Sequence, residues 1–322
     1  MASPNATFTE MVTTTARHTR KEVVDNVTDH NAVLRWMKEH GNVKTYAKGG
    51  YEIQVPISYA ENATYQRYSG YDVLNTAGSD VLTSAKFDWM QAAIHVTASG
   101  RELKMNNSEE AMLDLVKERK KVAVATAANN MSIDIYSDGS LSNQVGGLAH
   151  LITSDGTGTV GGIVAGTYTF WKNKFQEISG TGATFSTMKT AMNTLWLALQ
   201  RGADKPDLIV MTHDFFAIYE GGLQDLQRYG DSKAAALGFS DALKYKSASV
   251  IFDDNTNFGT TSEIAYFLNT KYLYLMEHPE AQWTTDDEKV PTQQDAVVVP
   301  MYWMGNMCVS NRSLQGKMID AA

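Results

Sequence analysis

Residues 84–139 read SAKFDWMQAAIHVTASGRELKMNNSEEAMLDLVKERKKVAVATAANNMSIDIYSDG, and this stretch decides the fold. Its first half predicts a strand over Ala93–Thr97, followed by a turn at Ala98–Gly100. A long helix is predicted from about Ser108 to Ile135, and Asp138-Gly139 is a stop signal after it. At 3.6 residues per turn this helix makes roughly seven turns. The order is therefore a strand, a turn and one unusually long helix.

Charge is ordered along this helix so that it complements the helix macrodipole. Acidic residues come first and basic residues follow: Glu109, Glu110 and Asp114, then Lys117, Arg119, Lys120 and Lys121. The apolar stripe is narrow and consists of Met112, Leu115, Val116, Val122 and Ala123. A stripe this thin predicts a strut that lies across a sheet, because a helix inside a core needs apolar residues on more of its surface.

The segment before the strand is rich in tyrosine. Residues Tyr51–Ile57 alternate between polar and apolar residues, as a half-exposed strand does. A tip over Ser58–Arg67 and a return limb over Tyr68–Asn75 are predicted to follow. Five tyrosines lie here: Tyr51, Tyr59, Tyr65, Tyr68 and Tyr71. Tyrosine is typical of interfaces, so the ribbon either covers a partner or folds back on its own domain, and the residues alone favour neither interpretation.

Composition excludes several classes of protein. The length of 322 residues predicts roughly two domains. A net charge of −8 without any block of Lys or Arg argues against binding nucleic acid by charge. The single cysteine, Cys308, excludes an internal disulfide framework and a cysteine-built zinc site within one chain. There is neither a signal-peptide pattern nor a run of 18 apolar residues, so we expect a soluble protein made in a cytoplasm, with no membrane partner.

The remaining chain predicts an α+β body with a strand-rich region on each side of a mixed helical section. Residues 1–29 predict an arm that needs a partner or a groove, and a short helix after it ends at Gly41. The later predicted helices are Thr167–Ile178, Ser186–Arg201 and Asp214–Arg228. The later predicted strands are Asp207–Met211, Ser249–Phe252, Ala265–Leu268, Tyr272–Leu275, Asp295–Trp303 and Gly305–Val309.

The motifs that carry chemistry are weak. Gly156-x-Gly158-x-x-Gly161 matches a dinucleotide fingerprint by letter, but no amphipathic helix follows it, and a flexible surface loop is the better interpretation. The seven histidines show no metal-ligand spacing, and Cys308 lies in an apolar run that predicts a core residue. An enzyme that uses the Gly156–Gly162 loop with His213 and Asp214 remains the runner-up function. We expect no catalytic, cofactor-binding or metal-binding residue.

In their order along the chain, these segments resemble a tailed-bacteriophage major capsid protein of the HK97-type fold family. Four stretches carry the resemblance: Phe87–Gly139, Lys205–His213, Tyr245–Asp253 and Met301–Leu314. Each is weak alone, so the resemblance rests on their order over nearly the whole chain. It implies an N-terminal arm at 1–41, an E-loop at 42–88, a P domain with a spine helix at 89–140, an A domain at 141–264 and returning C-terminal strands at 265–322.

The resemblance also implies a function. Members of the family are structural proteins that assemble into pentamers and hexamers of an icosahedral shell around double-stranded DNA, inside the bacterial host cytoplasm. An encapsulin-like compartment shell is the alternative. The implied contacts between subunits are Tyr51, Tyr59, Glu61, Tyr65, Arg67, Tyr68, Tyr71, Glu109, Glu110, Lys117 and Lys120.

Further partners follow from the family pattern. Residues 1–41 leave no room for a scaffolding domain before the arm, so we expect a separate scaffolding protein and a portal. Some relatives cross-link a lysine of the E-loop tip to a neighbouring subunit. Here the tip has Arg67 and no lysine, whereas Lys44 and Lys48 lie near the loop base, so we expect a shell without covalent cross-links.

Overall fold

The computed structural model describes residues 32–46, 50–105, 109–178, 182–227, 243–253, 258, 263–285 and 289–320. The predicted arm before Ala32 lies outside these residues. The helices are α1 Ala32–Glu39, α2 Gly100–Met105, α3 Glu109–Ile135, α4 Leu148–Leu151, α5 Phe185–Leu199 and α6 His213–Gln227. The strands are β1 Val43–Thr45, β2 Glu52–Ser58, β3 Leu82–Asp88, β4 Met90–Ser99, β5 Thr159–Val160, β6 Ile163–Val164, β7 Lys174–Ile178, β8 Leu208–Met211, β9 Leu243–Tyr245, β10 Ala248–Phe252, β11 Glu263–Leu268, β12 Leu273–Thr285, β13 Ala296–Val309 and β14 Gly316–Asp320.

Two sheets form the body. A four-stranded sheet has the order β1-β12-β13-β4, and a six-stranded sheet has the order β7-β14-β11-β8-β10-β9. Strands β2 and β3 form a separate antiparallel ribbon, and β5 and β6 form a short hairpin. The C-terminal part of the chain supplies strands to both sheets, because β12 and β13 enter the first and β11 and β14 enter the second. The two sheets are therefore tied together by one returning segment.

The six-stranded sheet is buried on both faces around β8. Ile209 and Met211 pack with α5 and α6, whereas Leu208 and Val210 face the core that includes the ribbon. A strand covered on both faces has no polar side, which explains its continuous sequence Leu-Ile-Val-Met. Helix α5 begins at the capping box of Thr184 and Thr187, and it presents Met188, Met192 and Leu195 to the sheet at helical spacing.

Helix α3 lies across the four-stranded sheet as predicted. Its 27 residues extend over about 40 Å. Ala123, Ala127, Met131 and Ile135 recur every four residues and are buried. The predicted stripe was wrong at Val122, which is 49% exposed. Alanines at the contact let the helix axis approach the sheet closely, and a narrow strip of contact is enough to hold it.

Several predicted elements differ from the structure, and the first is the helix over Thr167–Ile178. This segment forms a 3₁₀ turn at Thr169–Trp171 and then strand β7. Strand β7 pairs in parallel with β14 over five residues. Its sequence, Lys-Phe-Gln-Glu-Ile, has no strong local preference for a strand, so the prediction was wrong because a tertiary strand partner decided the conformation.

The other differences concern strand limits. The turn predicted at Ala98–Gly100 was wrong, because β4 continues to Ser99 in its pairing with β13 and α2 begins directly at Gly100. The ribbon does not return at Tyr68–Asn75, because its second strand is Leu82–Asp88. Residues 59–81 between the two strands form turns and bends without strand pairing. Their sequence therefore has no alternation of polar and apolar residues from which the limits could be predicted. The two strands predicted at Asp295–Trp303 and Gly305–Val309 are one strand, β13, whose pairing with β4 continues through Met304 and Gly305.

A charged brace joins α3 to the end of β4. The Arg119 guanidinium donates to the Thr97 carbonyl oxygen at 2.6 Å and to the Glu102 carboxylate at 3.1 Å and 3.3 Å. Glu102 in turn accepts from the Ser99 backbone N–H at 2.9 Å, and the Ser99 hydroxyl accepts from the Glu102 N–H at 3.3 Å. Ser99 and Glu102 therefore form a capping box at the start of α2, and Arg119 ties this box to α3.

This brace predicts a dependence of stability on pH. Hydrogen bonds from Arg119 and then from Ser99 lower the pKa of Glu102 to about 2. Because the folded pKa lies below the ordinary 4.5, the stabilisation is full above pH 4.5 and is lost as pH falls toward 2. Glu102→Gln should cost about 1 kcal/mol at neutral pH, since the pair is partly exposed, and nearly nothing at pH 2. Urea unfolding of the unassembled chain from pH 7 to pH 2 measures this. Parallel stability curves for the two proteins would contradict it. Arg119→Met should cost more at neutral pH than Glu102→Gln does, because it also removes the hydrogen bond to the Thr97 carbonyl oxygen.

Candidate subunit interface

The ribbon of β2 and β3 has two unlike faces. Ile53, Val55 and Ile57 of β2 are buried, together with Ala85 and Phe87 of β3. The residues between them point outward and are mostly polar, and one outward pair is the salt bridge of Lys86 and Glu52 at 3.3 Å. The alternation is the one expected when one face of a ribbon covers a core. The base of the ribbon is therefore held by its own chain.

Beyond the ribbon, residues 59–81 form a tip that its own chain leaves uncovered. Tyr65 is 81% exposed, Tyr68 65% and Tyr71 fully exposed. Val73 is 93% exposed, and Tyr51 at the base is 94% exposed. Single exposed apolar residues are ordinary, but several large ones within one short segment make that segment the candidate for an interaction surface.

The tip keeps a defined shape by side-chain hydrogen bonds in place of a strand ladder. The Asn62 side-chain oxygen accepts from the Thr64 N–H at 2.9 Å and from the Ser79 hydroxyl at 3.2 Å. The Gln66 side chain bridges the two limbs, since it donates to the Val73 carbonyl oxygen at 3.2 Å. Asx-type turns of this kind fix a loop locally. The tyrosines are thus presented on an ordered surface.

The predicted contact residues fall into three groups. Tyr51, Tyr65, Tyr68 and Tyr71 are exposed, as are Glu61, Arg67 and Lys120. Tyr59 is half-buried and its ring lies 6.0 Å from that of Phe170 in the same chain, so it is shared with the body. Glu109, Glu110 and Lys117 lie in α3 at positions whose side chains are outside the described residues.

The two charged residues of the tip are Glu61 and Arg67. Neither forms an ion pair with another residue in the described part of the chain. An unpaired charge on an exposed surface stays hydrated and costs no folding free energy. Glu61 and Arg67 therefore need no partner in the isolated subunit. They become informative only if the tip is covered, because a buried charge must find an opposite charge or a hydrogen bond.

The residues of the runner-up enzyme hypothesis form no reaction centre. Gly156 and Gly158 precede β5, and Gly161 lies in the turn of the β5–β6 hairpin, so strand β6 follows the motif where a dinucleotide site needs the start of a helix. His213 is exposed and lies 3.6 Å from Asp214, its neighbour in sequence. Cys308 is fully buried, and burial raises the pKa of its thiol well above the ordinary value. No group of three His, Cys, Asp or Glu side chains among the described residues could hold a metal ion.

Sequence reasoning missed part of the exposed surface. Val73 and Leu82, the latter 69% exposed, extend the apolar surface of the tip. The sequence indicated this only through their closeness to the tyrosines. It also missed the contact between the ribbon and the glycine hairpin, where the Lys86 N–H donates to the Gly161 carbonyl oxygen at 3.0 Å. The glycine segment is therefore ordered against the ribbon and is not the free surface loop that was predicted. In the parts of the chain that the structure covers, no helix has the length and apolarity needed to cross a membrane.

Comparison with known proteins gives a clear result for structure and none for sequence. No protein-family model and no curated protein matches the chain. The capsid of cyanophage A-1(L) is similar with a TM-score of 0.65 at 12% identity, over 93% of this chain and 95% of that chain. The capsid of cyanophage P-SCSP1u has a TM-score of 0.61 at 10% identity, over 99% and 97%. An encapsulin complex from Synechococcus elongatus has a TM-score of 0.56 at 7% identity, over 92% and 91%.

These similarities establish the fold. At such low identity they carry no residue roles, but they extend over nearly the whole length of each chain. The chain has the HK97-type capsid fold, and the predicted α+β class is confirmed. The predicted resemblance to tailed-phage major capsid proteins is confirmed at the level of the fold.

Proposed function

We propose that this chain is a structural subunit of a capsid shell that assembles from copies of itself. The observation that carries the proposal is the exposed aromatic tip, which an isolated subunit leaves in water although the base of the same ribbon is packed. Because the chain has a capsid fold over nearly its whole length, the molecule that covers the tip is a second copy of the same chain. The contact is then heterologous, because the tip of one copy meets a different surface of the next. Such contacts form a ring when the rotation from one copy to the next closes.

The predicted regions receive roles in this proposal. The E-loop, residues 42–88, contacts a neighbouring subunit through the tip. The P domain at 89–140 contains α3, the spine helix, and the A domain at 141–264 lies at the symmetry axis of a ring. The arm at 1–41 lies along an adjacent subunit, and residues 265–322 complete the sheets. Charged residues of the spine helix, Glu109, Glu110, Lys117 and Lys120, are the proposed partners of Glu61 and Arg67.

The finer form of the proposal is a bacteriophage major capsid protein in pentamers and hexamers of an icosahedral shell. The shell encloses double-stranded DNA without sequence-specific contacts, and it assembles in the host cytoplasm with a separate scaffolding protein and a portal. The net charge of −8 supports a container wall that does not hold DNA by charge. The role is structural, and it needs no catalytic residue or cofactor. A compartment shell is the second candidate, since an encapsulin complex is among the similar structures.

Electron microscopy of the purified chain tests the proposal, together with light scattering on the same sample after size exclusion. Rings, sheets or closed shells are expected, either alone or after addition of a scaffolding protein. A chain that stays a monomer or dimer both alone and with a scaffolding protein would contradict the proposed shell. Particles filled with DNA from infected cells favour the phage form, and particles that enclose a cargo protein favour the compartment form.

Charge reversal at the tip, Arg67→Glu, should impair assembly while the subunit stays folded. If the tip is covered, Arg67 pairs with a carboxylate of the neighbouring subunit, and the new carboxylate would face that acidic group. Losing a buried pair of opposite charges costs about 2 kcal/mol or more of binding free energy. The concentration needed for assembly should therefore rise at least about tenfold. Lys189→Glu, on the exposed side of α5, is the control and should assemble nearly as the wild type does. Equal particle yields from all three proteins would remove Arg67 from the proposed interface.

The shell should also be free of covalent links between subunits. Residues 59–81 contain no lysine, so the tip has no amine for an isopeptide bond. In boiled particles on a denaturing gel, this chain should run as a single band near 35.5 kDa. A ladder of bands at multiples of that mass would overturn this prediction.

A further inference from the structure

The glycine hairpin of β5 and β6 makes a tight two-residue turn. Gly161 and Gly162 have φ values of 60° and 74°, so both occupy the left-handed region. A turn with two positive φ values suits an antiparallel hairpin, and glycine adopts it without steric cost. The turn explains why glycines stand at these two positions, but only one of them touches another part of the chain.

Gly161 lies directly against the base of the ribbon. A Cβ atom at this position would lie 2.8 Å from the Ala85 Cβ and 3.2 Å from the Phe87 ring, whereas a Cβ at Gly162 would meet nothing within 4 Å. The same Gly161 accepts a hydrogen bond from the Lys86 N–H at 3.0 Å. The hairpin therefore holds the outer edge of β3 by one backbone hydrogen bond and a contact that only glycine permits.

The hairpin is itself fixed to the body of the chain. The buried Trp171 indole donates to the Val160 carbonyl oxygen at 3.0 Å. Arg312, which is fully buried, donates to the Thr157 carbonyl oxygen at 2.8 Å. Val160 and Trp171 share one core cluster with the inner residues of the ribbon. The hairpin that contacts the base of the ribbon is thus anchored to buried residues of the core.

We propose that the hairpin Thr159–Val164 is the mount of the ribbon: it fixes the direction in which β2 and β3 leave the body before any second copy binds. A ribbon of two strands is only marginally stable alone, so its direction depends on what holds its base. The benefit is a tip that is already placed for its neighbour, which reduces the entropy lost on assembly. This last step rests on the proposed function; the mount does not.

Gly161→Ala and Gly162→Ala test the mount, because both add a methyl group at a positive φ and only the first collides with the ribbon. Hydrogen exchange of the unassembled chain reports on the Lys86 amide. Exchange there should accelerate at least about tenfold more in Gly161→Ala than in Gly162→Ala. Adding Ala85→Gly to Gly161→Ala removes the colliding atom and should return the rate toward that of Gly162→Ala. Equal rates at Lys86 in the two single variants would overturn the mount.

Assembly of the same variants tests whether the mount serves the tip. Gly161→Ala should raise the concentration needed for assembly at least about tenfold over that of Gly162→Ala, and Ala85→Gly should restore it. Equal assembly of both single variants would overturn the role of the mount in placing the tip. A wild-type chain that never assembles would instead count against the shell, while the exchange rates would still decide the mount.

Discussion

Replacing Tyr65, Tyr68 and Tyr71 together by serine should abolish assembly and leave the subunit folded. The three rings are largely exposed in the subunit, so their loss removes little that the isolated fold needs. In a covered tip each ring would bury a large apolar area, and a tyrosine at the centre of an interface commonly contributes about 2 kcal/mol or more. The combined change should raise the assembly concentration by more than about a hundredfold.

The matched variant replaces the same three residues by phenylalanine. It keeps the apolar rings and removes only the hydroxyl groups, so assembly should persist at a moderately higher concentration. Circular dichroism and urea unfolding should be unchanged in both variants, because the tip shape depends on Asn62 and Gln66. Assembly of the serine variant at wild-type concentration would show that the tip is not the interface. A serine variant that fails to fold would contradict the independence of tip and body.

Removal of the Arg312 side chain should be strongly destabilising. Its guanidinium is fully buried and donates to the carbonyl oxygens of Leu151 at 2.7 Å and Thr157 at 2.8 Å, and to the Thr153 hydroxyl at 3.0 Å. Arg312→Ala removes all three of these donated hydrogen bonds, leaves Thr157 only the hydrogen bond that the Thr153 hydroxyl donates at 3.0 Å, and opens a cavity. The expected loss is about 3–5 kcal/mol of unfolding free energy.

Arg312→Met separates the two causes. Methionine fills most of the volume but cannot donate, so the loss should fall to about 2–3 kcal/mol. Burial lowers the pKa of Arg312 to about 10, because the site disfavours the charged form of the guanidinium. Urea unfolding of the unassembled chain measures all variants, and Arg201→Ala, at an exposed position, should change stability by less than about 0.5 kcal/mol. A loss below about 1 kcal/mol for Arg312→Ala would contradict the structural role.

Local patterns in the sequence predicted the elements that local physics controls. The long helix ends at Ile135 as predicted, because a stop signal follows it, and the buried strand Leu208–Met211 was visible as an apolar run between turn residues. Strand β7 could not be found in this way, since its conformation depends on β14, which lies far along the chain. Pairings of this kind carry no local signal.

The exposure of the ribbon tyrosines was only partly predictable. The residues alone allowed either a covered surface or a hairpin folded back on its own domain. In the subunit four of the five tyrosines are exposed, whereas Tyr59 contacts Phe170. The position of the tip was displaced because its turns depend on side-chain hydrogen bonds of Asn62 and Gln66, which have no periodicity. The contact of Gly161 with Ala85 joins residues distant in sequence, so the glycine motif could be dismissed as a cofactor site but not assigned to the ribbon.

The burial of Cys308 makes this chain well suited to chemical modification elsewhere. It is the single cysteine of the sequence, it is fully buried, and its raised pKa keeps the thiol protonated and unreactive. A cysteine introduced at an exposed position, such as Lys189→Cys on α5, would then be the only thiol open to maleimide reagents. Fluorophores or peptides could be attached at one site per subunit, in native conditions and without first removing the natural residue.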